Sequence, residues 1–285
     1  MPFEILAIIS GFFFSLSTIC IRRGLEGSTP HTGSLIVTLT NFVGFTLALA
    51  LVDYSRLHLS WHWAAFLAAG LASPAASLFF MYRSVKALGV APTTSIGNQH
   101  AIFGAFWAFL ILGERPPAIV WAGIAVVVSG VYLLTGGGSM RGKLRHLWLP
   151  VLSANCFAVA HVFRRMGFEG MDSFIFGGFL QGASAAVVAP LLLPLANRGM
   201  AYVFSRRSVG FYLLSGGSMI CAQITLLMAL RLGKVSLVSP LLSSGPLFAL
   251  LLAPLLLGKR EPITPRVAGG VCLIVLGAVL VTALR

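Results

Sequence analysis

Ten apolar runs, each roughly 20 residues long and parted by short charged or Pro/Gly-rich breaks, leave this chain few ways to fold. As helices rising 1.5 Å per residue, such runs match a hydrocarbon core about 30 Å thick. A transmembrane barrel would show segments of about ten residues with alternating polarity, and none are visible. Composition agrees: 58% of the residues are hydrophobic and 9% charged, against about a quarter charged in a soluble domain. The chain reads as an all-α integral membrane protein. Its spans are predicted near 3–21, 32–52, 62–82, 91–112, 117–135, 146–163, 173–195, 208–230, 235–257 and 266–284.

A repeat runs through these spans. Glu114, Gly123 and Gly130 return as Glu261, Gly270 and Gly277, all at an offset of 147, and Arg22-Arg23-Gly24-Leu25-Glu26-Gly27 returns loosely as Arg164-Arg165-Met166-Gly167-Phe168-Glu169-Gly170. Five spans fall in each half, joined by the linker-like Gly136-Gly137-Gly138-Ser139, which predicts two five-helix repeats, residues 1–138 and 139–285. An odd number of spans makes the second copy enter the membrane from the opposite side. Inverted repeats of this kind are a recurring plan of secondary transporters, with the binding site near the midplane between the halves.

Each half carries a charged turn with Glu114 or Glu261 followed by glycines nine and sixteen residues later. Each also has a basic-Leu-Gly turn opening the helix that leads to that glutamate, Lys86-Ala87-Leu88-Gly89 and Arg231-Leu232-Gly233. In these features the chain resembles the EamA-type permeases of the drug/metabolite transporter superfamily over nearly its whole length. The resemblance implies a transporter of small metabolites, such as amino acids, nucleosides or sugar derivatives, placed in a bacterial inner membrane with no cofactor. Asn41 and Gln181 stand on the second helix of each half, where members often have an arginine, and Gly245-Pro246 has Ala101-Ile102 as its counterpart.

Candidate site residues come from polar groups deep in lipid, which are costly and usually face a cavity or another helix. The fourth span carries Asn98-Gln99-His100 near its centre. Aligning Gly89 with Gly233, an offset of 144, sets Gln99 and His100 opposite Ser243 and Ser244, so both copies are polar at one depth. Ser77, Asn155 and Gln223 complete the substrate-binding candidates. Hydrogen bonding between helices is the plainer role for any of them. Pro240 and Pro246 flank Ser243-Ser244 and make the ninth span the candidate for a gating bend. His161, just before Arg164, is placed near the membrane surface as a gate or interface residue. The paired arginine and glutamate turns are taken as topology markers or salt-bridged anchors.

All seven acids fall at predicted helix ends or loops, so no carboxylate is expected at mid-membrane to carry a proton. His100 is the group available for coupling, with uncoupled movement as the alternative. The net charge of +13 is spread over many short connections, which suits lipid headgroups rather than nucleic acid. Seven of the 20 basic residues lie on the side of the termini, which by the positive-inside rule turns the termini outward, whereas the family resemblance implies cytoplasmic termini. Cys20, Cys156, Cys221 and Cys272 sit in apolar runs with no disulfide or metal spacing, and His58 and His62 are interleaved with Trp61 and Trp63 as in an interfacial belt. Gly182-Ala183-Ser184-Ala185 partly resembles an intramembrane serine protease motif, giving a membrane enzyme as one rival class and a lipid-headgroup flippase as another. Gly123/Gly130 and Gly270/Gly277 fit close helix packing, either within one protomer or across a homodimer.

Overall fold

The computed structural model describes residues 2–50, 60–88, 96–97, 99–135, 146–196, 202–245, 247–248, 251–252 and 265–283. Among these the regular structure is helical: α1 (Phe3–Gly24), α2 (Pro30–Leu49), α3 (Trp63–Gly70), a π-helical turn (Leu71–Ala76), α4 (Ser77–Leu88), α5 (His100–Leu112), α6 (Ala118–Thr135), α7 (Trp148–Gly167), α8 (Phe174–Ala196), α9 (Arg206–Leu232), α10 (Val235–Leu242) and α11 (Pro265–Ala283). Five stretches of the described residues are long and apolar enough to cross a membrane: Phe3–Gly24, His31–Leu49, Trp63–Met81, Phe174–Leu191 and Arg206–Leu232. The α7 helix is not among them, because it carries Asn155, His161, Arg164 and Arg165.

Polarity is distributed as a bilayer requires. Leu47, Val187, Leu191 and Leu251 are exposed on the outside, while Ser10, Ser17, Ser73, Ser215, Ser239 and Ser243 are buried. With no hydrophobic force between helices in lipid, small side chains and interhelical hydrogen bonds hold such a bundle. Ser10 donates to the Ala222 carbonyl at 2.8 Å, and Ser17 lies 2.7 Å from Ser215, tying α1 to α9.

Local chemistry sets several helix ends. Thr29 caps α2 by accepting from the Thr32 amide, with Pro30 in the first turn. Gly113, at φ +65, closes α5 in the left-handed conformation that glycine adopts freely.

Three predicted spans are interrupted. The third, expected as one helix over 62–82, splits at Ser73, which is extended (φ −155, ψ 125) before Pro74. Pro74 offers no N–H to the carbonyl four residues back, and the π turn absorbs the mismatch. In the fourth, expected over 91–112, α5 begins at His100 after a turn at Gln99; residues 89–95 and Asn98 lie outside the described residues. The ninth, expected over 235–257, leaves the helix at Ser243-Ser244, beyond Pro240; Pro246 lies outside the described residues. Gln99 (φ −69, ψ −1) and Ser243 (φ −67, ψ −1), matched at the offset of 144, share one backbone conformation.

Helix packing joins the first half of the chain to the second. The most extensive contacts are α1 with α9 and α6 with α11, followed by α2 with α8 and α9, α5 with α7 and α10, α3 with α7 and α8, and α4 with α7. The α6 and α11 helices run antiparallel. A Cβ on Gly123 would lie 3.0 Å from the Gly277 carbonyl oxygen, and one on Gly130 would lie 2.8 Å from that of Gly270. These glycines therefore pack within one molecule.

Candidate functional site

The site is built where α5 and α10 meet. They too run antiparallel and touch at three levels. At one end the Glu114 carboxylate accepts from the Val235 and Ser236 amides at 2.9 and 3.0 Å and from the Ser236 hydroxyl at 2.6 Å. Glu114 was expected as a turn marker or salt-bridge anchor. Instead it caps the α10 N-terminus, where free amides and the helix dipole favour an anion. In the middle, Gly104 leaves room for Ser239, whose Oγ would sit 2.6 Å from a Cβ placed there. At the inner end His100 Nε2 lies 3.2 Å from Ser243 Oγ, while Nδ1 lies 3.2 Å from the Gly97 carbonyl oxygen.

His161, expected as a gate or interface residue, joins this cluster. It is fully buried, with Nδ1 3.1 Å from Ser239 Oγ. Ser239 and Ser243 are one turn apart on α10, so one face of that helix serves both histidines. The two imidazole centroids are 6.0 Å apart, and Phe157 packs edge-on against both, 5.1 Å from His100 and 4.7 Å from His161. The chain continues past α7 into Phe168 and Met171, both buried. The neighbours that enclose His161 are Ser239 on α10, His100 on α5 and Phe157 on its own helix.

Arg164 is a second correction. It was read as half of an Arg-Arg topology marker, yet it is fully buried, with Nε donating to Gln181 Oε1 at 2.8 Å and Nη2 to the Ser73 carbonyl at 3.1 Å. The break at Ser73 is what frees that carbonyl from helix bonding. Arg165 does sit at a helix end, donating through Nη1 to the Leu230 and Arg231 carbonyls at 3.0 and 2.8 Å. Glycine packing sets the register: Gly24 lies against Tyr212, and Gly167 against Phe66. Aligned on these glycines, Arg165 corresponds to Arg22, and Arg164 to buried Ile21.

The remaining candidates surround these groups. Gln223, buried, accepts from Gln181 Nε2 at 3.5 Å, extending the Arg164 network to α9. Ser77, buried, donates to Ser73 Oγ at 3.0 Å, and its carbonyl accepts from Ser153 at 2.8 Å. Asn155 accepts from the Trp107 indole at 2.7 Å, on a different partner from His161. Gln99 is partly buried in the turn before α5, and Pro240 is buried within α10. The Ser244 hydroxyl has no hydrogen-bond partner among the described residues and lies where a Cβ on Gly11 would meet it at 3.3 Å. Asn98 and Pro246 lie outside the described residues. Sequence reasoning missed Arg164, Gln181 and the part played by Ser239. The available signal was the i, i+3 spacing of His161 and Arg164, which sets both on one side of α7.

Chemically, the arrangement offers donors and acceptors inside an apolar bundle. Ser243 has one hydroxyl proton and two acceptors in reach, His100 Nε2 and the Ser239 carbonyl, both at 3.2 Å. A change at His100 therefore redirects a bond on α10. Ser184 donates to the Leu67 and Gln181 carbonyls at 2.9 and 3.1 Å, an interhelical tie rather than a nucleophile paired with histidine.

Residues 1–136 and 144–283 each match the profile of a family described as the EamA-like transporter family. No curated protein matches the chain. Among solved structures, one titled only "Crystal structure of protein" superposes with a TM-score of 0.78 at 18% identity, covering 99% of this chain and 96% of that one. At that identity the likeness speaks for the fold alone.

Proposed function

The chain belongs to the EamA-like transporter family, and from that premise we propose a secondary transporter that moves a small polar or amphipathic metabolite, such as an amino acid or derivative, across a bacterial inner membrane. It is a multi-pass integral membrane protein. In this reading ten spans form two inverted five-helix repeats, 1–138 and 139–285, which rock against each other for alternating access.

The observation that carries the reading is the symmetry of the packing. The most extensive helix pairs that join the halves either match themselves under the repeat or have a mirror pair: α1 with α9 answers α7 with α3 and α4, and α5 with α7 answers α10 with α1. Gly24 and Gly33 both sit against Tyr212, and Gly167 and Gly177 both sit against Phe66. Equivalent helices, α5 with α10 and α6 with α11, run antiparallel, as inverted copies must. The breaks at Gln99 and Ser243 then fall at equivalent positions beside His100, as in the discontinuous helices of transporters.

Substrate contacts are assigned to His100, Gln99, Asn98, Ser243, Ser244, Ser77, Asn155 and Gln223, and gating to Pro240, Pro246 and His161. His100 bonds across the halves to Ser243, while His161 bonds to Ser239 within the second half, so separating α5 from α10 breaks the link at His100. The test is uptake and efflux of a small-metabolite panel in proteoliposomes of the purified protein, with and without a pH gradient. His100→Ala is expected to abolish transport while leaving folded protein in the membrane. Unchanged transport moves the site elsewhere, and residual transport that no longer responds to the pH gradient assigns His100 to coupling.

A further inference from the structure

Arg164 is the one described group whose charge the fold leaves unanswered at depth. Of the five acids in the described residues, Glu114 is committed to the α10 amides and Asp172 to Arg231 at 3.1 Å, while Glu4, Glu26 and Glu169 make no ion pair with Arg164 there. A guanidinium has five N–H donors. Here Nε meets Gln181 and Nη2 meets Ser73, both neutral acceptors, and Nη1 is buried with no hydrogen-bond partner among the described residues. An ionised group out of water is tolerated when it is paired and hydrogen-bonded, and an unpaired one is costly.

One turn earlier on α7, His161 Nε2 is likewise buried without a partner among the described residues. In the tautomer whose Nδ1 accepts from Ser239, Nε2 carries the ring proton and becomes a second donor on the same side of the helix. A purely architectural arginine would be expected in both halves. The equivalent position holds Ile21, buried against the same kind of packing. The cation therefore belongs to what distinguishes the copies, not to what builds them.

We propose that Arg164, with His161 beside it, is the anion anchor of the transport site, so that the solute carries an oxyanion, a carboxylate or phosphate group, that completes the guanidinium. This rests on the transporter reading above and narrows its substrate class. The planar fork suits an oxyanion, and Gln181 and Ser73 hold it in orientation. The anchor links α7, α8 and the π turn of the other half, so solute arrival adds a charged bond at a contact between the halves.

The test pairs transport with binding. Purified protein and the variants Arg164→Gln and Arg164→Lys are reconstituted and assayed with amino acids, dicarboxylates and phosphate esters, each beside its neutral amide or alcohol. Thermal unfolding is followed in non-ionic detergent stripped of lipid, with the same solutes and, separately, with anionic phospholipid. The wild-type protein is expected to prefer anionic members and to be stabilised by them. In Arg164→Gln the ratio of anionic to neutral transport should fall about 100-fold, with a smaller fall in Arg164→Lys, whose ammonium keeps the charge but not the fork. If Arg164→Gln does not fold, the lysine variant decides: a lowered ratio supports the anchor and an unchanged one overturns it. Transport of neutral solutes with no anionic preference overturns the anchor and leaves the transporter reading standing. No transport, but stabilisation by an anionic solute that Arg164→Gln abolishes, keeps the anchor and defeats the transporter reading. Stabilisation by anionic lipid alone, or by nothing tested, overturns the anchor.

Discussion

His100 is held at both ring nitrogens, by Gly97 just before the turn that opens α5 and by Ser243 on the opposite half, so its orientation depends on how the halves sit. Removing the Ser243 hydroxyl leaves a buried ring nitrogen without that partner, a loss of about 1–3 kcal/mol when nothing replaces it. Interhelical hydrogen bonds within membranes average nearer 0.6 kcal/mol, because the reference state also finds partners. Ser243→Ala should therefore lower the melting temperature only slightly while slowing transport by about tenfold, measured in the same proteoliposomes. Equal slowing by Ser184→Ala would undercut this, since Ser184 binds only carbonyls of α3 and α8. The His100–Ser243 pair was legible in the sequence because both copies are polar at one depth. His161 and Arg164 were not, because a basic residue near a helix end reads as headgroup contact, and only the packing of Ser239, Gln181 and Ser73 on that side of α7 makes both internal.

Helices α10 and α5 form a clamp closed at both ends, and the two closures have different chemistry. At the Glu114 end a carboxylate meets two amides and a hydroxyl. Glu114→Gln keeps the size but loses the charge at a helix N-terminus, and should destabilise the fold by about 1 kcal/mol, read from thermal unfolding. Backbone approach offers a sharper contrast. A Cβ on Gly277 would lie 2.7 Å from the Gly123 carbonyl oxygen, and backbone cannot step aside as a flexible side chain can. Gly277→Val should cost about 3 kcal/mol or more and deplete folded protein, whereas Gly217→Ala, with nothing within 4 Å of its new methyl, should be tolerated. The glycine pairs were visible as a repeat. Whether they faced each other or a second molecule was not, because an offset states which residues correspond and says nothing of which ones touch. Breaks were half visible in the same way: Pro74 accounts for the extended Ser73 before it and Pro240 marks where α10 can end, but the turn at Gln99 has no adjacent proline to announce it.

Because the principal contacts join one half to the other, neither repeat has its partners when alone. The α1 helix needs α9, α6 needs α11, and α2 needs α8. A tandem duplication in sequence is thus a single cooperative unit in space. Expressed alone, residues 1–138 should be degraded or aggregate, since Gly24, Gly33 and Gly123 would lose Tyr212 and Gly277 as neighbours. Coexpressed as separate chains, 1–138 and 139–285 should reassemble and recover transport, with the two fragments copurifying through a tag on one of them. Stable, folded single halves would show that each repeat carries its own core and would overturn the single cooperative unit. Topology follows from the same argument and must be read in the intact protein: a reporter inserted at Gly138 should appear on the opposite side of the membrane from one at the C-terminus, because five spans separate them. Reporters on one side would mean an even number of spans in the second half, and the antiparallel packing of α5 with α10 would then need another origin.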